Sequence, residues 1–283
     1  MVWYRMWAPP ESRMQELGAD FNMGFAAAWG YCAAMGGLSV LLAGRVFGRT
    51  FNDLPDPKKV LWHVYAYCLC TGCISCGLLA GSFREIFYEH LWDADFLMNG
   101  RPVPGFRTAV GFSVGFLTFD LAVMLVWHKT LLIAYKKPMY IQMLVHHGLS
   151  IFFWPQTLQR RCALGYVSWC ILTEASSVFV NLHWLLREAK LDGGALGIIN
   201  SVCLFFSYLI VRILPIPWLA WMWWTSPKRE WLWLEYILGG LGAALPPLLN
   251  LYWFSFIVRG AASKLFPGKF EKRSKGNQET KKE

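Results

Sequence analysis

The sequence predicts an all-α, polytopic membrane protein. Three observations carry this. Hydrophobic residues make up 55% of the 283 positions and the mean hydropathy is +0.34. Charged residues are only 16%, well under the roughly 25% of soluble domains. The apolar residues also gather into runs of the length needed to cross a bilayer, about 20 residues each.

By that criterion about seven spans follow in order. They cover Phe21–Gly44, Val60–Gly81, Thr108–Trp127, Met139–Trp154, Cys162–Leu186, Leu196–Trp221 and Trp231–Val258. The fourth is short, about 16 residues before Pro155, and crosses only if the bilayer thins or Tyr140 and Trp154 anchor its ends. Without it the count is six. Gly111 and Gly115, four apart on the third span, suit close helix packing. Pro215 and Pro217, then Pro246 and Pro247, interrupt the last two spans, where neighbouring helices can satisfy the freed carbonyls.

The net charge of +9 does not point to nucleic acid, because the basic residues sit in short loops and a C-terminal tail. Lys and Arg are more numerous on the side that holds Lys58, Lys59, Lys136, Lys137, Arg187 and that tail. This side is therefore cytoplasmic, and the polar N-terminal tail (residues 1–20) is lumenal. Residues 260–283 form a basic tail without apolar periodicity, expected to be disordered near the anionic leaflet. Glu85–Gly105 reads as the one sizeable loop, on the lumenal side. The first apolar run is long enough to remain as a span, so no cleaved signal peptide is expected. The eight cysteines lie inside apolar runs and read as small buried hydrophobes rather than as disulfides or a metal site.

Against this background the ionisable residues inside the spans stand out, since such groups are costly in lipid and usually face a protein interior or a wet cavity. Asp120 lies on the third span, the adjacent pair His146 and His147 on the fourth, Glu174 on the fifth and Arg212 on the sixth. Counted along helices from the cytoplasmic flank, Asp120, His146 and Glu174 fall roughly 13–20 Å deep. Glu174, Ser177 and Asn181 form one polar stripe, and Ser201, Tyr208 and Arg212 share a face with Asn200 beside it. One reading makes an imidazole a nucleophile or general base, its tautomer set by Asp120 or Glu174. The other makes the set a neutralised structural network. Ligation of haem or a metal fits poorly, because adjacent helical side chains point about 100° apart. His63, His90, His128 and His183 fall near span ends and read as interfacial.

The motif Phe119-Asp120-Leu121, the pair His146-His147, the stretch Leu172-Thr173-Glu174-Ala175-Ser176-Ser177, then Phe179, Val180, Asn181 and Trp184, and finally Asn200 with Phe205–Arg212 resemble the TLC domain. The resemblance runs from about Phe83 to Arg259, following a unit of two spans (residues 21–82), and is nearest the branch of TLC domain-containing protein 4. It implies a helical barrel around a lipid-accessible cavity, usually in the endoplasmic reticulum, with a role in lipid metabolism or homeostasis. In the related ceramide synthases the paired histidines serve N-acylation by acyl-CoA. Carried over, His146 and His147 with Asp120 and Glu174 are the catalytic candidates. Ser177, Asn181, Trp184, Asn200, Tyr208 and Arg212 are the substrate-binding ones. This chain has Met139 and Gln142 where ceramide synthases are acidic, and Glu174 and Ser177 where they have two aspartates, which sets it apart from ceramide synthesis specifically. Acyl transfer to a membrane lipid, with acyl-CoA as co-substrate and no bound cofactor or metal, is one expectation. A non-enzymatic lipid-binding regulator or cargo-type receptor is the alternative. Membrane lipids are the expected partners, and a homodimer is compatible with either.

Overall fold

Without water to receive backbone N–H and C=O groups, an apolar run satisfies them internally as a helix. The computed structural model describes residues 17–100, 102–228 and 233–265, and those residues form helices and no strand. Most of the N-terminal tail and most of the C-terminal tail lie outside the described residues, while residues 18–20 and 260–265 of those tails are helical.

Helix α1 (Gly18–Val46) matches the first expected span and carries Asp20 in its first turn, where a negative charge suits the helix N-terminus. After a single turn at Arg49–Asn52, α2 (Asp56–Cys68) starts with Pro57 in its first turn, a position where the missing N–H costs nothing. The second span is not continuous. It breaks at Leu69 and Cys70, resumes as α3 (Thr71–Arg84) and ends in a π-helical turn at Glu85–Glu89. The expected Glu85–Gly105 loop therefore begins as helix. It also contains a short helix, α4 (Ala94–Asn99), whose N-terminus is capped by Asp93 accepting from the Phe96 amide at 3.0 Å.

Helices α5 (Phe106–Val126), α6 (His128–Tyr135) and α7 (Lys137–Arg160) follow. The fourth expected span is longer than its sequence suggests. Pro155 removes one ladder bond, yet α7 continues through it to Arg160, giving 24 residues or about 36 Å. The fifth expected span is α8 (Leu164–Thr173), a 3₁₀ turn at Glu174–Ser176, and α9 (Ser177–Glu188). The sixth is α10 (Ala195–Tyr208), a π-helical turn at Leu209–Ile213, and α11 (Ile216–Thr225), which follows Pro215. The last, α12 (Trp233–Leu265), runs through Pro246 and Pro247.

Five segments among the described residues are long and apolar enough to cross a membrane: Gly18–Val46, Asp56–Glu89, Phe106–Val126, Ala195–Thr225 and Gly239–Ser263. The other two expected spans, α7 and α8–α9, are helical but fall outside that set. They carry the histidine pair and Gln142 in one case, and Glu174, Asn181 and His183 in the other, so the polar groups of interest lower their apolarity.

Helix α5 sits at the centre, packed by α1, α3, α7 and α8. Its seam with α1 is built on glycine. A Cβ on Gly24 would run into the Thr108 carbonyl, one on Gly111 into the Phe21 carbonyl, and one on Gly115 would meet Phe25 and Ala28. Backbone thus lies directly on backbone, as the spacing of Gly111 and Gly115 predicts. On the far side α2 contacts α9, α8 contacts α3, and α12 packs against α10, α11 and the π turn of the sixth span.

Candidate functional site

Helix α7 turns His147 toward α5, where it is buried beside the equally buried Asp120. Its Nδ1 lies 2.6 Å from the Met143 carbonyl oxygen and its Nε2 lies 2.7 Å from Asp120 Oδ2. Both neighbours are acceptors. Nδ1 therefore carries its hydrogen, and one further proton is shared between Nε2 and the carboxyl. Wherever that proton rests, the pair is neutral overall, the form in which two buried ionisable groups are tolerated. The Tyr67 hydroxyl on α2 donates to the other carboxyl oxygen, Asp120 Oδ1. Three helices, α2, α5 and α7, are tied together by this chain of contacts.

His146 is placed differently. Its ring stands edge-on to that of His147, with centroids 5.5 Å apart. It is half-buried and makes no hydrogen bond with any described residue.

The second polar group centres on Arg212, buried in the π turn of the sixth span. Its Nε donates to Ser176 Oγ (2.7 Å), Nη1 to Asn250 Oδ1 (3.1 Å), and Nη2 to both the Thr173 carbonyl and Ser177 Oγ (3.0 Å each). The Tyr208 ring covers it at 5.0 Å, and the Tyr208 hydroxyl reaches Asn250 at 3.4 Å. Glu174 makes no direct contact with the histidines. Its Oε2 accepts from Ser177 Oγ at 3.0 Å, and the carboxylate lines a narrow cavity with Thr71, Ser75, Ser113, Phe116 and Trp154, holding about 220 Å³ of empty space. Much of that space is open to the outside, and the enclosed part has room for about one water.

Three helix interruptions lie side by side here. Gly72, just after the break in the second span, sits so close to the Glu174 carbonyl that a Cβ would collide with it. Arg212, in the π turn, donates to Thr173 at the edge of the 3₁₀ turn. Freed carbonyls are met by side chains. Cys68 accepts from Asn181 Nδ2 (3.0 Å) and Thr71 Oγ1 (2.9 Å), and Val211 accepts from Trp169 Nε1 (2.9 Å).

The sequence-predicted residues thus divide. Asp120 and His147 are joined, with His146 beside them. Ser177, Arg212, Tyr208 and Glu174 share the second group. Asn181 spends its amide on the Cys68 carbonyl, and Asn200 donates to the Phe179 carbonyl at 3.1 Å while its own Oδ1 has no partner among the described residues. Trp184 stacks on Tyr65 with centroids 4.6 Å apart. Sequence reasoning missed Tyr67, Ser176 and Asn250. A hydroxyl or amide deep in an apolar run is the signal that could have found Tyr67 and Asn250, since each needs a partner there. No cluster of three or more His, Cys, Asp or Glu suited to a metal occurs among the described residues.

The profile of the TLC domain matches residues 59–259. The match takes in most of α2, and with it Tyr67, ahead of Phe83, the expected start of the resemblance. TLC domain-containing protein 2 of Danio rerio is 24% identical over 151 residues, covering 53% of this chain and 58% of that protein. TLC domain-containing protein 4 of Homo sapiens is 27% identical over 169 residues, 58% of each. The chain therefore spans rather more than half the length of these curated relatives. No solved structure matches. A family profile covering well over half of the sequence establishes that this chain belongs to the TLC domain family, generally membrane proteins linked to lipid metabolism.

Proposed function

We propose that this protein is a seven-span membrane enzyme of the endoplasmic reticulum that transfers an acyl group from acyl-CoA to a membrane lipid, with its C-terminus cytoplasmic. The observation that carries the reading is the contrast within the histidine pair. Both nitrogens of His147 are committed, to Met143 and Asp120, whereas His146 is half-buried and uncommitted. His146 is accordingly the group able to move a proton. In the transfer it takes the proton from an acceptor hydroxyl or amine, whose oxygen or nitrogen attacks the thioester carbonyl. The C–S bond then breaks, and the CoA sulfur leaves with the proton that His146 returns. Tyr67, Asp120 and His147 hold the wall against which His146 stands. Lys136, Lys137, Arg187 and Lys190, at the cytoplasmic ends of α7 and α9, supply positive charge for the phosphates of the donor.

Purified protein incubated with labelled acyl-CoA and a panel of acceptor lipids tests this directly. His146→Ala is expected to lower product formation by about 10²–10⁴-fold while eluting as a monodisperse species. Undiminished product from that variant would remove the mechanism.

A non-enzymatic reading has its own support. Most of the buried polar groups satisfy one another, and the cavity beside Glu174 is narrow. In that case the protein binds a lipid as a regulator or receptor. A lipid then co-purifies in mild detergent, and no acylated product forms with any acceptor.

A further inference from the structure

Arg212 is an intramembrane cation whose hydrogen-bond partners are all neutral. Ser176, Ser177, Asn250 and the Thr173 carbonyl accept from it, and among the described residues no carboxylate lies within ion-pair distance. Glu174 is reached only at second hand. The one hydroxyl hydrogen of Ser177 goes to Glu174, and its oxygen accepts from Arg212. An uncompensated charge in the bilayer interior is expensive, and intramembrane ionisable residues of this kind mark substrate pathways as well as structural pairs.

The surroundings leave a way in. Helix α7 packs on α5, α6 and α8, while α10 packs on α9, the 3₁₀ turn and α12, and no comparable packing joins α7 to α10 among the described residues. Exposed apolar residues run along α7 at Val145, Leu149 and Phe152, and along α10 at Val202 and Phe206.

We propose that Arg212 is the anchor for the anionic headgroup, a carboxylate or a phosphate, of a lipid that enters between α7 and α10. A guanidinium suits either group, since its planar N–H fork matches the oxygens of both. This rests on the reading that the interior holds a lipid, and goes beyond it in assigning the headgroup charge and the residue that meets it.

The test uses full-length protein in phosphatidylcholine nanodiscs and three photoreactive probes of one chain length: a fatty acid, a lysophosphatidic acid and a neutral monoacylglycerol. Wild-type protein is expected to be labelled by at least one anionic probe about tenfold more than by the neutral one, a difference of about 1.4 kcal/mol. Whichever anionic probe labels identifies carboxylate or phosphate as the source. Arg212→Gln should abolish the preference and Arg212→Lys should keep part of it. Should Arg212→Gln aggregate, competition on wild type by unlabelled anionic and neutral lipids gives the same comparison. Equal labelling by all three probes, or an undiminished preference in Arg212→Gln, would overturn the anion site while leaving a lipid-binding interior intact. No labelling above the empty-nanodisc background would remove both.

Discussion

The Nε2 of His147 lies 2.7 Å from Oδ2 of Asp120, and the Met143 carbonyl holds the opposite nitrogen at 2.6 Å. The ring is thereby fixed at both ends, and a single proton neutralises the buried pair. Asp120→Ala should cost about 3–5 kcal/mol, because it strands the imidazole without its counter-group. Asp120→Asn can still donate to Nε2 and should cost clearly less. Thermal unfolding in detergent measures both, and equal losses would contradict the shared-proton arrangement.

Tyr67→Phe removes the hydroxyl that donates to Asp120 Oδ1 without altering the ring. The unmet carboxyl oxygen is expected to cost about 1–3 kcal/mol, read by the same unfolding assay. The edge contact of the Tyr67 ring with Phe119, centroids 5.4 Å apart, should persist. An unchanged midpoint would mean that the hydroxyl contributes nothing to holding Asp120.

Gly111→Leu should separate α1 from α5, because even a Cβ there meets the Phe21 backbone. Overpacking of this kind costs about 1–3 kcal/mol or more. Gly77→Ala, where nothing lies within 4 Å, is the control and should be nearly silent. Limited proteolysis of the α1–α2 connection reports the difference. Equal behaviour of the two variants would show that the seam is not tight.

Asp93 caps α4, and its carboxyl is held below the usual range, first by the Phe96 amide and further by His90. A folded-state value below the unfolded one adds stability that is present above the unfolded value, about 3.9, and fades as pH falls through the folded one. Titration of the Phe96 amide chemical shift should therefore show a midpoint below the ordinary carboxylate value. Asp93→Asn keeps the cap without ionising and should flatten the curve.

Much of this was legible in the chain. Apolar run length located the helices, and the cost of charge in lipid picked out Asp120, the histidine pair, Glu174 and Arg212. Two things were not legible. One was which groups meet, since depth counting places Glu174 level with Asp120 while helix rotation sends it to Ser177 instead. The other was the interruptions. Pro155 announces a break that α7 ignores, whereas the break at Leu69 and Cys70 has no proline, and its exposed carbonyl is met by Asn181, more than a hundred positions away.

Those interruptions give the bundle a mechanical property that continuous rods lack. The second, fifth and sixth spans are each two stiff segments meeting at an articulation, and the three articulations abut one another. Because the carbonyls at these joints are held by Asn181, Thr71, Arg212 and Trp169, the bundle at that level is secured by side chains from neighbouring helices and not by the helical ladder alone.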